Sequence, residues 1–208
     1  MKEHPILFNG DMVRAILDGR KTQTRRVVSS VKGIGKVTEF QRSDTPGYDW
    51  AMRDKRMLWN EVTHAELLAR CPLGKVGDHL WVRETWRTYK SLDHLPPRLI
   101  EPGAGIQYEA LGTNLPGDKG DYLLGMGKIR PSIFMPKWAA RIWLEITNVS
   151  VQRLHDIRQS DALAEGIKHS TMNAPTFEFF WLWQSIYGAD SWDANPWVWA
   201  ITFKRVNR

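Results

Sequence analysis

Apolar residues along this chain come in short bursts with one of two periods, and turn-forming or polar stretches separate the bursts. Pro5-Ile6-Leu7-Phe8 reads as a short strand, and Asn9-Gly10-Asp11 then supplies a turn and a helix N-cap. Met12, Val13, Ile16 and Leu17 share one side of a helix that ends at Gly19, a left-handed position suited to glycine. After a turn at Gly74-Lys75-Val76-Gly77-Asp78, residues His79 to Trp86 alternate β-formers with polar groups, which predicts a strand. Between Arg141 and Arg153, Ile142, Leu144 and Ile146 lie on one face, and Val149 and Val151 follow after a phase change at Thr147-Asn148. That pattern predicts a long strand carrying a bulge. Ser160 is placed to cap a short helix running through Ala162 and Glu165 to a stop at Gly166. A second helix is expected from Pro175 to Tyr187, with Phe179, Phe180, Trp183 and Ile186 inward. The chain closes on a strand whose Trp197, Trp199, Ile201 and Phe203 share a face.

Two stretches lack such periodicity. Residues 29–71 mix Gly, Ser, Asp, Pro and charges apart from a short helical pattern around Val62–Ala69, and residues 87–127 are punctuated by Pro96-Pro97, Pro102-Gly103 and Pro116-Gly117-Asp118. Both read as loop-rich insertions into one domain spanning 1–208, a length that suits a single core. Strands near both ends, short helices between them and no alternation of strand and helix argue for an α+β chain folded as a partly open β-barrel rather than a doubly wound sheet.

Composition changes this picture little, because 42% hydrophobic and 25% charged residues are ordinary for a globular chain. Charge adds more: Lys and Arg outnumber Asp and Glu by 29 to 23, so the chain carries a positive field that favours polyanions. The eleven tryptophans are unusual, and each is either a core filler or a stacking surface. A lone cysteine, Cys71, excludes an internal disulfide framework and points to a reducing compartment. The apolar run Ile6-Leu7-Phe8 is too brief for a signal segment, and no run approaches the ~20 residues that span a bilayer, so a cytoplasmic protein without membrane contact is expected. The six histidines have no ligand spacing, and neither a phosphate-binding glycine loop nor a nucleophile elbow is present, so no metal and no cofactor is expected.

Chemistry concentrates in Gly19-Arg20-Lys21-Thr22-Gln23-Thr24-Arg25-Arg26, which packs four cations and two hydroxyls directly after the first helix. Read plainly it is a solvated basic edge strand. Read functionally, Arg20, Thr22, Arg25 and Arg26 form a phosphate and base contact site. Trp81 and Arg83 share a strand face, where an indole and a guanidinium can flank a base, and Lys137 is a further candidate at the mouth of the cleft. Packing is the competing role for Trp81.

The GRKTQTRR stretch, the GDHLWVRETW strand, the helix with Ala162-Leu163-Ala164-Glu165-Gly166 and the closing WVWAITFKR strand, in that order, resemble the ASCH domain of the PUA-like superfamily. The block from Ser132 to Trp143, together with WDANPWVW, is most similar to the larger ASCH proteins of phages and prophages. The resemblance covers about half of the chain and omits both insertions. It implies a PUA-like barrel with a cleft that receives a nucleobase or RNA. Some short ASCH proteins are amidohydrolases of N4-acetylcytidine, in which a lysine, a threonine three residues later and a glutamate on the helix before the last strand carry the reaction. Those roles fall here on Lys21, Thr24 and Glu165, with Glu145 and Glu178 as rival carboxylates. Threonine attacks an amide only once a base takes its proton, and a lysine serves as that base when burial or neighbouring cations lower its pKa. A Lys–Glu salt bridge beside a packed threonine is the alternative without catalysis. RNA or a nucleoside is therefore the expected partner, with DNA left open, and three functions stand: amidohydrolase, metal-independent ribonuclease acting on a 2′-hydroxyl, or non-catalytic phage accessory protein.

Overall fold

The computed structural model describes residues 1–111, 125–168 and 171–207. The predicted turn at Pro116-Gly117-Asp118 and residue His169 lie outside the described residues. The main sheet has five strands, in the order β1 (Glu3–Leu7), β7 (His79–Arg83), β10 (Trp143–Arg153), β11 (Trp197–Val206) and β2 (Gln23–Val27). The first two run parallel and the other neighbours antiparallel. Helix α1 (Gly10–Leu17) connects β1 to β2, and Asn9 Oδ1 caps it by accepting from Met12 N at 2.9 Å.

The phase change in β10 is a bulge: its register with β11 shifts between Ile146 and Asn148. The extra residue returns Val149 and Val151 to the face that Leu144 and Ile146 already occupy, and all four are buried in one core with Trp199, Ile201 and Phe203 of β11. The opposite face of β11 is covered as well. There Val198 packs with Leu154, Ala162, Phe179 and Trp183, contributed largely by helices α3 (Gln159–Ala164) and α4 (Pro175–Tyr187). β11 is thus apolar on both faces, as a strand between two layers must be. In α4, Phe179 and Trp183 face inward as the pattern predicts, whereas Ile186 is 45% exposed.

The main sheet is open: β1 and β2 are its free edges, and the described residues form no closed barrel. Across the gap Arg26 Nη2 donates to Leu7 O at 3.0 Å. Several expectations need correction. The 29–71 stretch is no loop-rich insertion but a second antiparallel sheet of β3 (Ser30–Val31), β4 (Gly35–Arg42), β5 (Trp50–Asp54) and β6 (Trp59–Val62). Its strands escape a period-two reading because Trp50, Ala51 and Met52 are buried in succession, while six of the eight residues of β4 are exposed. The helical pattern there begins later, at α2 (His64–Ala69), with Thr63 and Glu66 forming a capping box. The predicted cap of α3 also moves: Ser160 lies inside the helix, and the Asp161 carboxylate accepts from Arg158 N at 3.1 Å. The 87–127 stretch, as far as it is described, holds the two-stranded sheet of β8 (Trp86–Arg87) and β9 (Gln107–Tyr108) and several single turns of 3-10 helix. These pack a third core around Trp86, Ile100, Met135 and Ala139.

Trp50 joins the second sheet to the first. It is wholly buried, stacks on Phe40 with centroids 5.1 Å apart, meets the edge of Trp197 at 4.8 Å and donates from Nε1 to His64 Nδ1 at 3.1 Å. Trp50→Ala is expected to cost about 3–5 kcal/mol in a denaturant unfolding series, whereas Trp59→Ala, at a 47% exposed position, should stay within about 0.5 kcal/mol.

Candidate functional site

The turn that leaves α1 delivers Lys21 to the interior. The amides of Arg20 and Lys21 both donate to Ala15 O at 2.9 Å, and Gly19 adopts the positive φ of 75° that this reversal needs. Next, Thr22 latches the chain between two elements: its amide donates to Ala164 O at 2.8 Å, and its carbonyl accepts from Phe203 N at 2.8 Å. Lys21 and Glu165 thereby become antiparallel bridge partners across 144 residues of sequence. Gly166 makes the approach feasible. Its φ is +95°, and a Cβ there would stand 2.8 Å from Ala15 Cβ and 3.0 Å from Lys21 Cβ.

Lys21 is 2% exposed and its ammonium is saturated, donating to Glu165 Oε2 at 2.7 Å, Glu165 O at 2.8 Å and Gln23 O at 2.9 Å. The other carboxylate oxygen, Glu165 Oε1, accepts from Arg25 Nη1 at 3.2 Å. Arg25, equally buried, also donates from Nη1 to Gln23 Oε1 at 2.6 Å and pairs through Nη2 with Asp161 at 3.3 Å. With the Gln152 amide turned so that its oxygen faces the guanidinium, Arg25 Nη2 and Nε donate to it at 2.8 and 3.2 Å. Arg26 extends from the other face of β2, where its Nη1 donates to Thr24 Oγ1 at 2.8 Å. Its guanidinium and the Lys21 ammonium both lie over the Phe8 ring, 5.5 and 5.4 Å from the centroid.

Burial lowers the pKa of Lys21 below its ordinary 10.5; Glu165 opposes that fall, and the charges of Arg26 and Arg25 add to it. The phenol of Tyr187, on the last turn of α4, is pushed up by burial against the pull of Arg26.

Of the three residues expected to act together, Lys21 and Glu165 are therefore in contact, and the rival carboxylates are elsewhere: Glu145 pairs with Lys204 at 3.1 Å, and Glu178 accepts from Asn173 at 2.7 Å. Thr24 is two residues along the same strand from Arg26, fully buried, and its hydroxyl is bonded to Arg26 rather than to Lys21 or Glu165. Arg20 donates to Gly166 O at 2.7 Å and pairs with Asp18 at 2.9 Å. Thr22 exposes its side chain. Within the sheet β10 and β11 separate β7, with Trp81 and Arg83, from β2, but across the open side Leu7, the register partner of Arg83, accepts from Arg26. Instead of flanking an open slot, the Arg83 guanidinium lies 4.6 Å over the buried Trp81 ring. Lys137 pairs with Glu3 and lies 5.8 Å over Trp143, also away from Lys21.

Two hollows touch the cluster. One of about 300 Å³ is lined by Glu165, Gly166, Arg20 and Lys168, along with α1 and Leu182. Its wall is not the positive surface that the local sequence suggests, because Arg14 pairs with Asp11 at 2.6 Å and Arg20 with Asp18, leaving three cations facing three carboxylates. The other, of about 660 Å³, is polar throughout, with Gln23, Asn148, Ser150, Gln152 and Asp161 in its lining. Arg25 links Glu165 in the first to Gln23 and Asp161 in the second. Gln152, Asp161 and Phe8 are the participants that sequence reasoning missed. Only Asp161, four residues before Glu165 and so on the same helical side, left a signal.

No group of three or more His, Cys, Asp or Glu side chains suited to a metal occurs among the described residues, and no described helix is long and apolar enough to cross a membrane. Comparison with protein-family models, curated proteins and solved structures finds no match for this chain.

Removing one partner of a buried ion pair strands the other charge, so Glu165→Leu is expected to lower stability by about 3–5 kcal/mol. The double variant Lys21→Met/Glu165→Leu should recover much of that loss. A double-mutant cycle by chemical denaturation checks both values, and additive losses would deny that the two side chains are coupled.

Proposed function

We propose that this chain is an ASCH-type, PUA-like protein that binds a modified nucleoside beside Lys21, Thr24 and Glu165 and hydrolyses an amide on it. The observation that carries the reading is the buried contact of 2.7 Å between Lys21 and Glu165, the second of which lines a hollow of about 300 Å³. The side-chain bridge from Arg26 to Leu7, which ties the two free sheet edges at one end, is in keeping with a barrel of the PUA-like kind that is left partly open. The charge-balanced wall favours an uncharged nucleoside at this hollow over a polyanion.

The chemistry follows from the pair. Transfer of a proton from Lys21 Nζ to Glu165 Oε2 leaves a neutral amine and a neutral acid, a state made accessible by the burial that already lowers the lysine pKa. The amine then takes the proton of Thr24 Oγ1, and the oxygen attacks the amide carbonyl, while the Arg26 guanidinium that touches Oγ1 balances the developing charge. Protonated Glu165 supplies the proton to the departing amine. Water then cleaves the acyl-threonine. Thr24 is shut from solvent, so the substrate must displace Arg26 from Leu7 O on entry, while Nη1 stays on Thr24 Oγ1. The saturation of all three Lys21 protons favours a second reading, in which the pair only clamps α3 to β2 and the ligand leaves unaltered.

Incubation with N4-acetylcytidine, read by mass spectrometry, separates the two. Acetate release by the wild type, absent in Thr24→Ala and reduced by about 10²–10⁴ in Lys21→Met, is the expected result; an intact nucleoside rejects it. Because the proton that leaves Lys21 must stay on Glu165 for the departing amine, the pair has to hold one proton in all, and the rate should fall as pH rises through a lysine pKa set below the ordinary 10.5. Shortening of labelled RNA without metal would instead indicate a ribonuclease.

A further inference from the structure

The positive charge of this chain is not spent at the hollow beside Glu165, and a different surface gathers cations with no lining carboxylate among the described residues. Two neighbouring hollows, of about 370 and 380 Å³, share Pro96, Pro97 and Phe134 in their walls. The first adds His94, Lys128 and Arg130, and the second Arg83 and Arg98, with no Asp or Glu lining either among the described residues. Asp93 lies behind them, where it accepts from the Lys128 amide at 2.9 Å and pairs with the buried Arg130 at 3.9 Å. Arg98 and the Lys128 ammonium are exposed and have no ion pair among the described residues. Arg83 donates only to Ile133 O at 3.3 Å, and its Nε is buried with no partner among the described residues.

The same surface exposes apolar side chains that a solvated face has no reason to display. Phe134 is 58% exposed, between Ile133 at 55% and the buried Met135, and Ile129 and Leu99 are likewise more than half exposed. A flat ring standing free beside unpaired guanidinium and ammonium groups matches a ligand that alternates anionic and aromatic parts along its length. An inorganic polyanion would have no use for the ring. A duplex would keep its bases stacked away from it.

We propose that the paired hollows around Phe134 bind single-stranded nucleic acid, with Phe134 as a stacking platform and Arg83, Arg98 and Lys128 on the phosphates. This surface is built by Arg83 and by residues 94–98 and 128–136, and its occupancy does not depend on the amide chemistry proposed for Lys21. A polymer held here and a base presented at a separate hollow would still fit one protein acting on nucleic acid.

The test is binding of fluorescent single-stranded RNA and DNA 12-mers to the full chain by anisotropy across a salt series, with the duplex of the same sequence and inorganic polyphosphate as controls. All three substituted side chains are exposed, so folded variants are expected, and circular dichroism verifies them. Phe134→Ala should weaken single-strand binding by about tenfold to a hundredfold. Arg98→Ala/Lys128→Ala should lower the slope of log affinity against log salt by about 1.4, as for two lost phosphate contacts on a single strand. No binding by the wild type, an unchanged affinity in Phe134→Ala, or equal affinity for polyphosphate overturns the proposal. Failure to release acetate from N4-acetylcytidine bears on the Lys21 reading alone.

Discussion

An ammonium shut away from water needs oxygen on every side, and the arrangement around Lys21 answers that need with three acceptors drawn from two distant parts of the chain. Meeting it draws Glu165 and its carbonyl down onto the start of β2, requires glycine at 166, and leaves one carboxylate oxygen for Arg25. Arg25 is then surrounded in turn by Gln23, Gln152, Asp161 and Glu165. One edge strand thus carries a buried network of three cations and two carboxylates, counting Lys21, Arg25 and Arg26 against Asp161 and Glu165. Such a network is held at a cost in desolvation that its mutual attractions and hydrogen bonds must offset.

The distribution of charge divides the molecule into two kinds of surface. Beside Glu165 each arginine of α1 and its following turn has an aspartate neighbour, so the local field is nearly cancelled. Around Phe134 the cations stand without lining carboxylates and beside exposed apolar side chains. A net charge of +6 describes neither place. What matters to a ligand is where the neutralising carboxylates sit, and that is a property of folded geometry.

Local patterns carried much of the main sheet. The cap at Asn9, the α4 helix from Pro175 to Tyr187, the bulge near Thr147-Asn148 and the inward face of β11 all follow from interactions within a few residues, and they are legible for that reason. The 29–71 sheet was not legible, because β5 opens on three consecutive buried residues, Trp50, Ala51 and Met52, and most of β4 is exposed, so neither shows an alternation. Trp81 and Arg83 illustrate a related limit. Their spacing placed them on one face, as observed, but whether the guanidinium opens a slot or lies on the indole depends on how much room the neighbouring strand leaves.

The resemblance to the ASCH domain nominated Lys21, Thr24 and Glu165, and residue order fixed the short elements around them, since capping, glycine turns and side-chain alternation act over short separations in the chain. That Lys21 touches Glu165 while Thr24 bonds to Arg26 was decided by long-range packing, which brings the end of α3 against the start of β2 through Thr22 and Ala164. The openness of the sheet, the neutral wall beside Glu165 and the uncompensated cations near Phe134 have the same origin. Each depends on pairs of groups tens of residues apart, whose meeting is set by the free energy of the whole fold rather than by any local preference.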